Sequence, residues 1–168
     1  AINVLAQNSW TQQMDFGGNP RRASVGFSIL DKGYIGIGYD GSAKRDFWEY
    51  DPATGTWTQK ADFGGGGLYC AVSFSIGKKA YIGTGFTEFG SLSSDFWEYD
   101  QSTNAWTQKA DFLGPVRASA VGFSIGNKGY VGTGASNVCY RDFYEYYPAT
   151  DMWMQKANFG GLERNAAV

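Results

Sequence analysis

Carboxylate side chains give this sequence its clearest potential for acid–base chemistry, and they recur at regular intervals. In each of three stretches of chain, a glutamate follows an aspartate by three residues. A catalytic pair of carboxylates needs two different environments within one site, so that one group is protonated while the other is charged. A copy in every stretch is instead typical of residues that cap turns or cover a solvated face. The carboxylates concerned are Asp46, Glu49, Asp51, Asp95, Glu98, Asp100, Asp142 and Glu145.

Other residue types that bind metals or act as general bases are scarce. The sequence contains no histidine, which is the commonest general base and metal ligand in proteins. Its cysteines, Cys70 and Cys139, lie at non-equivalent repeat positions, which favours two unpaired thiols over one bridge. The four glycines at 64–67 lack the lysine that follows in a phosphate-binding loop. This inventory favours a binding protein over an enzyme and predicts neither a cofactor nor a metal.

The elements that must position these residues follow from an internal repeat. Tryptophans at 10, 57, 106 and 153 are 47, 49 and 47 residues apart, and the sequence around them repeats in phase. In each repeat, alternating bulky and small residues predict a first strand, and Gly-x-Gly ends a second. An aromatic stretch predicts a third strand, and tryptophan opens a fourth, Trp10 included. The predicted loops between strands two and three are 39–45, 86–94 and 135–141.

Four strands per repeat, without helical periodicity, predict an all-β fold, a β-propeller with four-stranded blades. We expect a lead-in or signal-peptide remnant at 1–7 and a propeller segment at 8–168, with blades at about 21–62, 68–111 and 117–158. Residues 164–168 would begin a further blade. Three blades do not close a ring, which takes about four to eight. The sequence therefore predicts an incomplete ring, either a fragment of a longer propeller or a chain that self-associates through its open edges.

The order of these motifs resembles the kelch repeat, with Arg-x-x-x-Val, then Tyr-Ile-Gly-x-Gly, then Tyr-Asp-Pro-Ala-Thr-Gly-x-Trp over residues 8–168. The resemblance implies a galactose-oxidase-like kelch propeller, in which Arg21, Arg117 and Arg164 would surround the central pore, with Arg22 beside the first. Leu68 replaces arginine in the middle repeat. Converging guanidinium groups would suit an anionic ligand such as a sugar acid or an acidic peptide. Alternatively, each arginine bonds carbonyls and carboxylates of neighbouring loops.

Most aromatic residues repeat in phase, which indicates packing between blades rather than contact with a ligand. Four loop aromatics do not repeat and are candidates for ligand contact. Our first hypothesis is a non-catalytic binding module, secreted or on the cell surface, that recognises a protein or carbohydrate ligand through its pore-rim loops. The alternative is a sugar-acid enzyme of the sialic-acid mutarotase type that uses the pore arginines. The candidate ligand-binding residues are Arg21, Arg22, Arg117, Arg164, Tyr39, Phe86, Phe89 and Tyr140.

Charge and hydropathy exclude two other classes of partner. The formal net charge of -2 argues against a nucleic-acid-binding surface, which needs clustered lysine and arginine. No run of 18 apolar residues is present, so the sequence predicts no membrane span. The copper site of galactose oxidase, which is built from histidines and tyrosines, is incompatible with a sequence that has no histidine.

Overall fold

The computed structural model describes residues 10–166 of the chain. The predicted lead-in or signal-peptide remnant at 1–7 lies outside the described residues, as do the last two residues of the predicted further blade at 164–168. Within the described range the secondary structure consists of strands joined by turns and loops. No helix in this range is long and apolar enough to cross a membrane.

The described residues form fourteen strands. In chain order they are β1 (Val25–Ile29), β2 (Lys32–Tyr39), β3 (Ala43–Asp51), β4 (Thr56–Gln59), β5 (Leu68–Tyr69), β6 (Val72–Ile76), β7 (Lys79–Gly83), β8 (Phe86–Thr87), β9 (Phe96–Asp100), β10 (Ala105–Lys109), β11 (Val121–Ile125), β12 (Lys128–Gly132), β13 (Phe143–Tyr147) and β14 (Met152–Lys156).

The strands build three antiparallel four-stranded sheets, which are the blades of a propeller. Their strand orders are β1-β2-β3-β4, β6-β7-β9-β10 and β11-β12-β13-β14, and β5 pairs with β8 in a small extra sheet. Each four-stranded sheet lies inside one of the predicted blades. The predicted all-β propeller with three four-stranded blades in an incomplete ring is therefore confirmed.

The innermost strands β1, β6 and β11 lie side by side at the centre of the arrangement. In β1, Val25 and Ile29 are buried, whereas Gly26 and Ser28 are exposed, as the alternation of bulky and small residues predicted. A shallow groove with a volume of about 300 Å³ runs between the starts of these strands. The small residues of one innermost strand thus pack against the bulky residues of the preceding one, since a side chain added at Gly122 of β11 would overlap Val72 of β6.

A repeated backbone hydrogen bond links neighbouring blades just before each innermost strand. The N–H of Cys70 donates to the carbonyl of Ala23 (3.0 Å), and the N–H of Ser119 donates to the carbonyl of Cys70 (2.8 Å). Ala166 continues the series by donating to Ser119 (3.0 Å). All four residues have a positive φ, between 50° and 55°. These bonds fix the relative position of the loops that border the opening.

Aromatic rings fill the space between blades. Phe47 of the first blade contacts Tyr99 and Trp106 of the second, with ring centroids 4.8 and 5.1 Å apart. One repeat later, Phe96 contacts Tyr146 and Trp153 at 5.1 and 4.9 Å. Edge-on contacts of this kind stabilise the fold beyond what burial of the rings alone contributes. The interpretation of the periodic aromatics as packing residues is confirmed.

The turn between the third and fourth strands has the same geometry in every blade. Gly55, Asn104 and Asp151 have φ values of 70°, 52° and 55° at equivalent positions. Glycine, asparagine and aspartate are the residues that tolerate this left-handed region best. The prediction of one shared turn conformation is confirmed.

Two expectations about local structure are wrong. Residues from Trp10 onward were expected to form a fourth strand, but no strand begins before Val25 in the described residues, and Trp10 is fully exposed. A strand is stable only beside a hydrogen-bonded neighbour, and none is present there. The loop predicted at 39–45 is shorter than expected, because β2 extends to Tyr39 and β3 starts at Ala43. The two strands stay paired there after a shift of register between Gly36 and Gly38.

Candidate functional site

The rim of the central opening is built where the loop before each first strand meets the end of each second strand. Glycine makes this approach possible: a side chain on Gly85 would come within 2.6 Å of the carbonyl oxygen of Tyr69. A Cβ added at Gly38 or Gly134 would lie 2.9 Å from the carbonyl oxygen of Arg22 or Ala118, respectively. The Gly-x-Gly motif therefore lets two backbone segments run in contact at the rim.

The same rim position carries a different pair of side chains in each blade. The cross-strand pairs are Arg22 with Tyr39 in the first blade, Tyr69 with Phe86 in the second, and Ala118 with Ala135 in the third. The guanidinium carbon of Arg22 lies 5.5 Å from the centre of the Tyr39 ring, within cation–π range. The backbone thus repeats here while the side-chain chemistry does not.

Three rings join into a continuous surface across the first two blades, which we call the aromatic shelf (Tyr39, Tyr69 and Phe86). The ring centroids of Tyr39 and Tyr69 are 5.0 Å apart, with the planes tilted by 50°. Tyr69 stacks on Phe86 at 5.3 Å with the planes only 23° apart. Phe86 is part of the β5–β8 pair, which holds Tyr69 against it.

A cavity with a volume of about 540 Å³ opens beside the shelf, and we call it the rim cavity. The turn at 87–90 forms part of its lining, and there the N–H of Gly90 donates to the carbonyl of Thr87 (2.9 Å). Phe89 stands at the tip of this turn and is 87% exposed. An aromatic ring held so far out in water is typical of a contact surface. The cavity is lined by Tyr39, Gly41, Ser42, Ala43, Tyr69, Thr87, Glu88, Phe89 and Gly90.

One of the two carboxylates beside the rim cavity is paired with a cation and the other is not. The Lys44 ammonium group donates to Asp40 across 2.9 Å, and this hydrogen bond lowers the pKa of the Asp40 carboxyl to about 2. Within residues 10–166, the Glu88 carboxylate has neither a salt bridge nor a side-chain hydrogen bond. The lining therefore carries one uncompensated negative charge, while Arg22 lies against Tyr39 outside the lining.

The predicted ligand-binding arginines Arg21 and Arg117 each form an ion pair with an aspartate of their own blade. The Arg117 side chain is completely buried and forms a two-pronged ion pair with Asp142 (2.5 and 2.7 Å). It also donates to the carbonyl of Thr133 at 2.8 Å. Arg21 makes the same pair with Asp46, and its side chain is 4% exposed. This geometry favours the structural alternative for both residues.

The other predicted residues lie apart from the rim cavity. Arg164 donates to the carbonyl of Leu162 (3.2 Å), covers the Phe159 ring and lines an apolar hollow on the third blade. Tyr140 packs over the guanidinium group of Arg117, 4.4 Å from its ring centre. Of the eight candidates, the structure therefore gathers Arg22, Tyr39, Phe86 and Phe89 around one site.

Two residues of the site, Tyr69 and Glu88, were missed at the level of sequence. The signal for Tyr69 is its departure from the repeat, since it stands where Arg22 and Ala118 stand in the other blades. Glu88 lies in the part of the middle loop that makes this repeat longer, so it has no equivalent position for comparison. Leu68, the residue before Tyr69, is buried beneath the rim in place of an arginine.

No group of three or more potential metal ligands occurs among residues 10–166. In the same range the Cys70 and Cys139 thiols are both free. Cys139 is exposed in a loop of the third blade, and Cys70 is half-buried next to Tyr69.

Comparisons with known proteins bear on the fold alone. No family model and no curated protein sequence matches the chain. A solved structure of a protein named YjhT superposes on 92% of the chain with a TM-score of 0.79 and 17% sequence identity. The chain spans 57% of the length of that structure. This chain is therefore similar to YjhT in its fold, with antiparallel four-stranded blades arranged as part of a β-propeller.

Proposed function

We propose that the chain is a segment of a kelch-type propeller that acts as a non-catalytic binding module in a secreted or cell-surface protein. Its ligand, a protein or a glycan, docks at the rim cavity and contacts the aromatic shelf and Phe89. The kelch assignment rests on the Arg-x-x-x-Val and Gly-x-Gly motifs and on the strand order that they accompany.

The observation that carries this proposal is where the chain departs from its own repeat. Residues that pack between blades recur in phase, because every blade needs the same neighbours. At the rim, equivalent backbone positions hold an arginine–tyrosine pair, then two aromatic rings, then two alanines. A packing role gives no reason for that variation. Recognition of one ligand does, since a ligand contacts each blade differently.

The enzyme alternative has less support in the site geometry. A sugar-acid enzyme would need free guanidinium groups at the pore, yet Arg21 and Arg117 each hold an aspartate of their own blade. A general acid would need a carboxyl group whose pKa is raised towards neutrality. Every carboxyl group with a shifted pKa in the described residues has a lowered one: Asp40, Asp46, Asp51, Asp100, Glu145 and Asp151.

The proposal is tested by screening the chain against a glycan array and a displayed peptide library, together with two rim variants. Phe89→Ala removes an exposed ring and should not affect folding, and Tyr69→Ala breaks the shelf. Both should lower binding by about tenfold or more, as for truncation of aromatic residues at the centre of an interface. Val138→Ala is the matched control, since Val138 is 61% exposed in the corresponding loop of the third blade. Binding that survives both rim variants at full strength would contradict the proposal.

A further inference from the structure

We infer that the rim cavity is a carbohydrate subsite that takes a neutral pyranose unit and rejects sugar acids. This inference rests on the proposed function, because it names the ligand class of the same site. It is carried by three features of the cavity: the aromatic rings in its lining, the unused hydroxyl groups on its walls, and the sign of its charge.

Aromatic side chains in the lining can contact a flat ligand with C–H groups on its faces. Tyr39, Tyr69 and Phe89 all line the cavity. The face of an aromatic ring carries a negative partial charge, which attracts the weakly positive C–H groups on the face of a pyranose. The volume of about 540 Å³ lies within the range of small-molecule sites, and the open side lets a longer glycan continue into solvent.

The walls also offer hydrogen-bonding groups that the protein itself leaves unused. Within residues 10–166, the phenol hydroxyls of Tyr39 and Tyr69 have no hydrogen-bond partner. The Glu88 carboxylate is equally unpaired there and can accept from two sugar hydroxyls. Hydroxyl groups that donate and accept, beside a carboxylate that only accepts, match the ring of hydroxyls around a sugar. A peptide strand would instead need a row of free backbone groups.

The charge of the lining selects against acidic sugars. Glu88 is the lining residue with a formal charge, and no cation neutralises it within the described residues. A ligand carboxylate placed in the cavity would therefore meet the like charge of Glu88 at close range. Arg22 lies against Tyr39 at the rim but does not line the cavity. The structure thus separates the aromatic site from the positive charge that a sugar acid would need.

The test is titration of the chain by saturation-transfer NMR and calorimetry with five probes. Methyl galactoside, methyl glucoside and methyl mannoside are the neutral probes, and glucuronic acid and N-acetylneuraminic acid are the acidic ones. We expect at least one neutral probe to bind, with its ring C–H protons saturated, and both acids to bind at least about tenfold more weakly. Tyr69→Ala should abolish the signal, whereas Tyr69→Phe keeps the ring and should retain part of it. Glu88→Gln should reduce the difference in affinity between the neutral and the acidic probes.

The outcomes separate this inference from the proposed function. Acidic probes that bind as well as neutral ones, or a gap that Glu88→Gln leaves unchanged, would overturn the inference. It would also be overturned if no sugar bound while a displayed peptide did so in a Phe89-dependent manner, and the proposed function would then stand. Val138→Ala, in the corresponding loop of the third blade, is the control, and it should leave the affinity of the neutral probes unchanged. Circular dichroism of Tyr69→Ala, compared with that of the exposed Phe89→Ala, excludes loss of folding as the cause.

Discussion

The guanidinium group of Arg117 is completely buried, and it spans the two oxygens of the Asp142 carboxylate and the carbonyl of Thr133. Replacing it with alanine would leave a carboxylate and a carbonyl without their partner. Breaking a buried pair from one side costs about 3–5 kcal/mol. We therefore expect Arg117→Ala to lower the free energy of unfolding by roughly that amount in urea denaturation.

The matched control is Arg164→Ala at the equivalent position of the repeat. Its exposed guanidinium group contacts the carbonyl of Leu162 and the ring of Phe159. A loss within about 0.5 kcal/mol is expected for such a surface residue. Equal losses of unfolding free energy in the two variants would show that burial of the Arg117–Asp142 pair does not account for the effect of Arg117→Ala.

The carboxylate of Glu145 gives the third blade a predictable response to acid. It accepts hydrogen bonds from the hydroxyls of Tyr130 and Tyr147 and from the ammonium group of Lys128, and these lower its pKa from 4.5 to about 2. The unfolded chain protonates this group at the higher pKa and the folded chain at the lower one. Its contribution to stability is therefore complete above about pH 4.5 and is lost as the pH falls towards 2.

Unfolding free energies measured across that window should show the effect directly. In Glu145→Gln, stability should fall less between pH 4.5 and 2 than in the original chain, because the titrating group is gone. Glu163→Gln is the control, since Glu163 forms an exposed pair with Arg141 (3.4 Å). Superimposable pH profiles for the original chain and Glu145→Gln would contradict the assignment of the low pKa.

At the level of elements, Gly129 in β12 sets how closely the third blade approaches the second. A side chain added there would overlap the ring of Phe74 in β6, which is buried in the core. We expect Gly129→Ala to cost about 1–3 kcal/mol, the usual penalty for inserting a methyl group into a packed interface. Thermal or urea unfolding measures it.

The equivalent glycine of the first blade, Gly33, provides the comparison. A Cβ at Gly33 would have its nearest neighbour at 3.8 Å, the Tyr50 Cβ, which is an ordinary contact. Gly33→Ala should therefore change stability by no more than about 0.5 kcal/mol. A large loss at Gly33 would mean that the local strand conformation, rather than the distance between blades, demands glycine.

The strands were predictable from sequence wherever the repeat supplied a local reason for them. The turn at Gly55, Asn104 and Asp151 requires a positive φ in every blade, so the residue types alone pointed to it. The strand expected at Trp10 was wrong, because a hydrophobic pattern does not provide the neighbour that a strand needs. Local rules therefore succeed here when the partner strand is part of the same repeat.

The candidate site was only partly predictable, for a different physical reason. Tyr39, Phe86 and Phe89 could be singled out because they do not repeat. Their assembly with Tyr69 depends on the β5–β8 pair and on which loops of neighbouring blades meet, and neither leaves a periodic signal. The sequence pattern also did not reveal that Arg21 and Arg117 are each paired with the aspartate 25 residues further along the chain.

At the level of the whole molecule, the third blade presents a face that the first two blades keep covered. Phe74 of the second blade is 3% exposed against Gly122 and Gly129 of the third, whereas the equivalent Phe123 is 40% exposed. Ile125 beside it is 63% exposed, and within residues 10–166 no further blade packs on these side chains. The rings of Phe123, Tyr130 and Phe143 are already stacked as they are in the covered blades.

An ordered apolar face of this kind should bind a second copy of the chain, because association removes the rings from water without the cost of rearranging them. We expect the sedimentation coefficient to rise with protein concentration, and Phe123→Lys to suppress the rise by placing a charge in the contact. Leu30→Lys alters a side chain that is 64% exposed in a turn of the first blade, and it should have no effect. If both lysine variants behave alike, association does not involve this face; if only Phe123→Lys stays monomeric, the uncovered third blade is the surface through which copies meet.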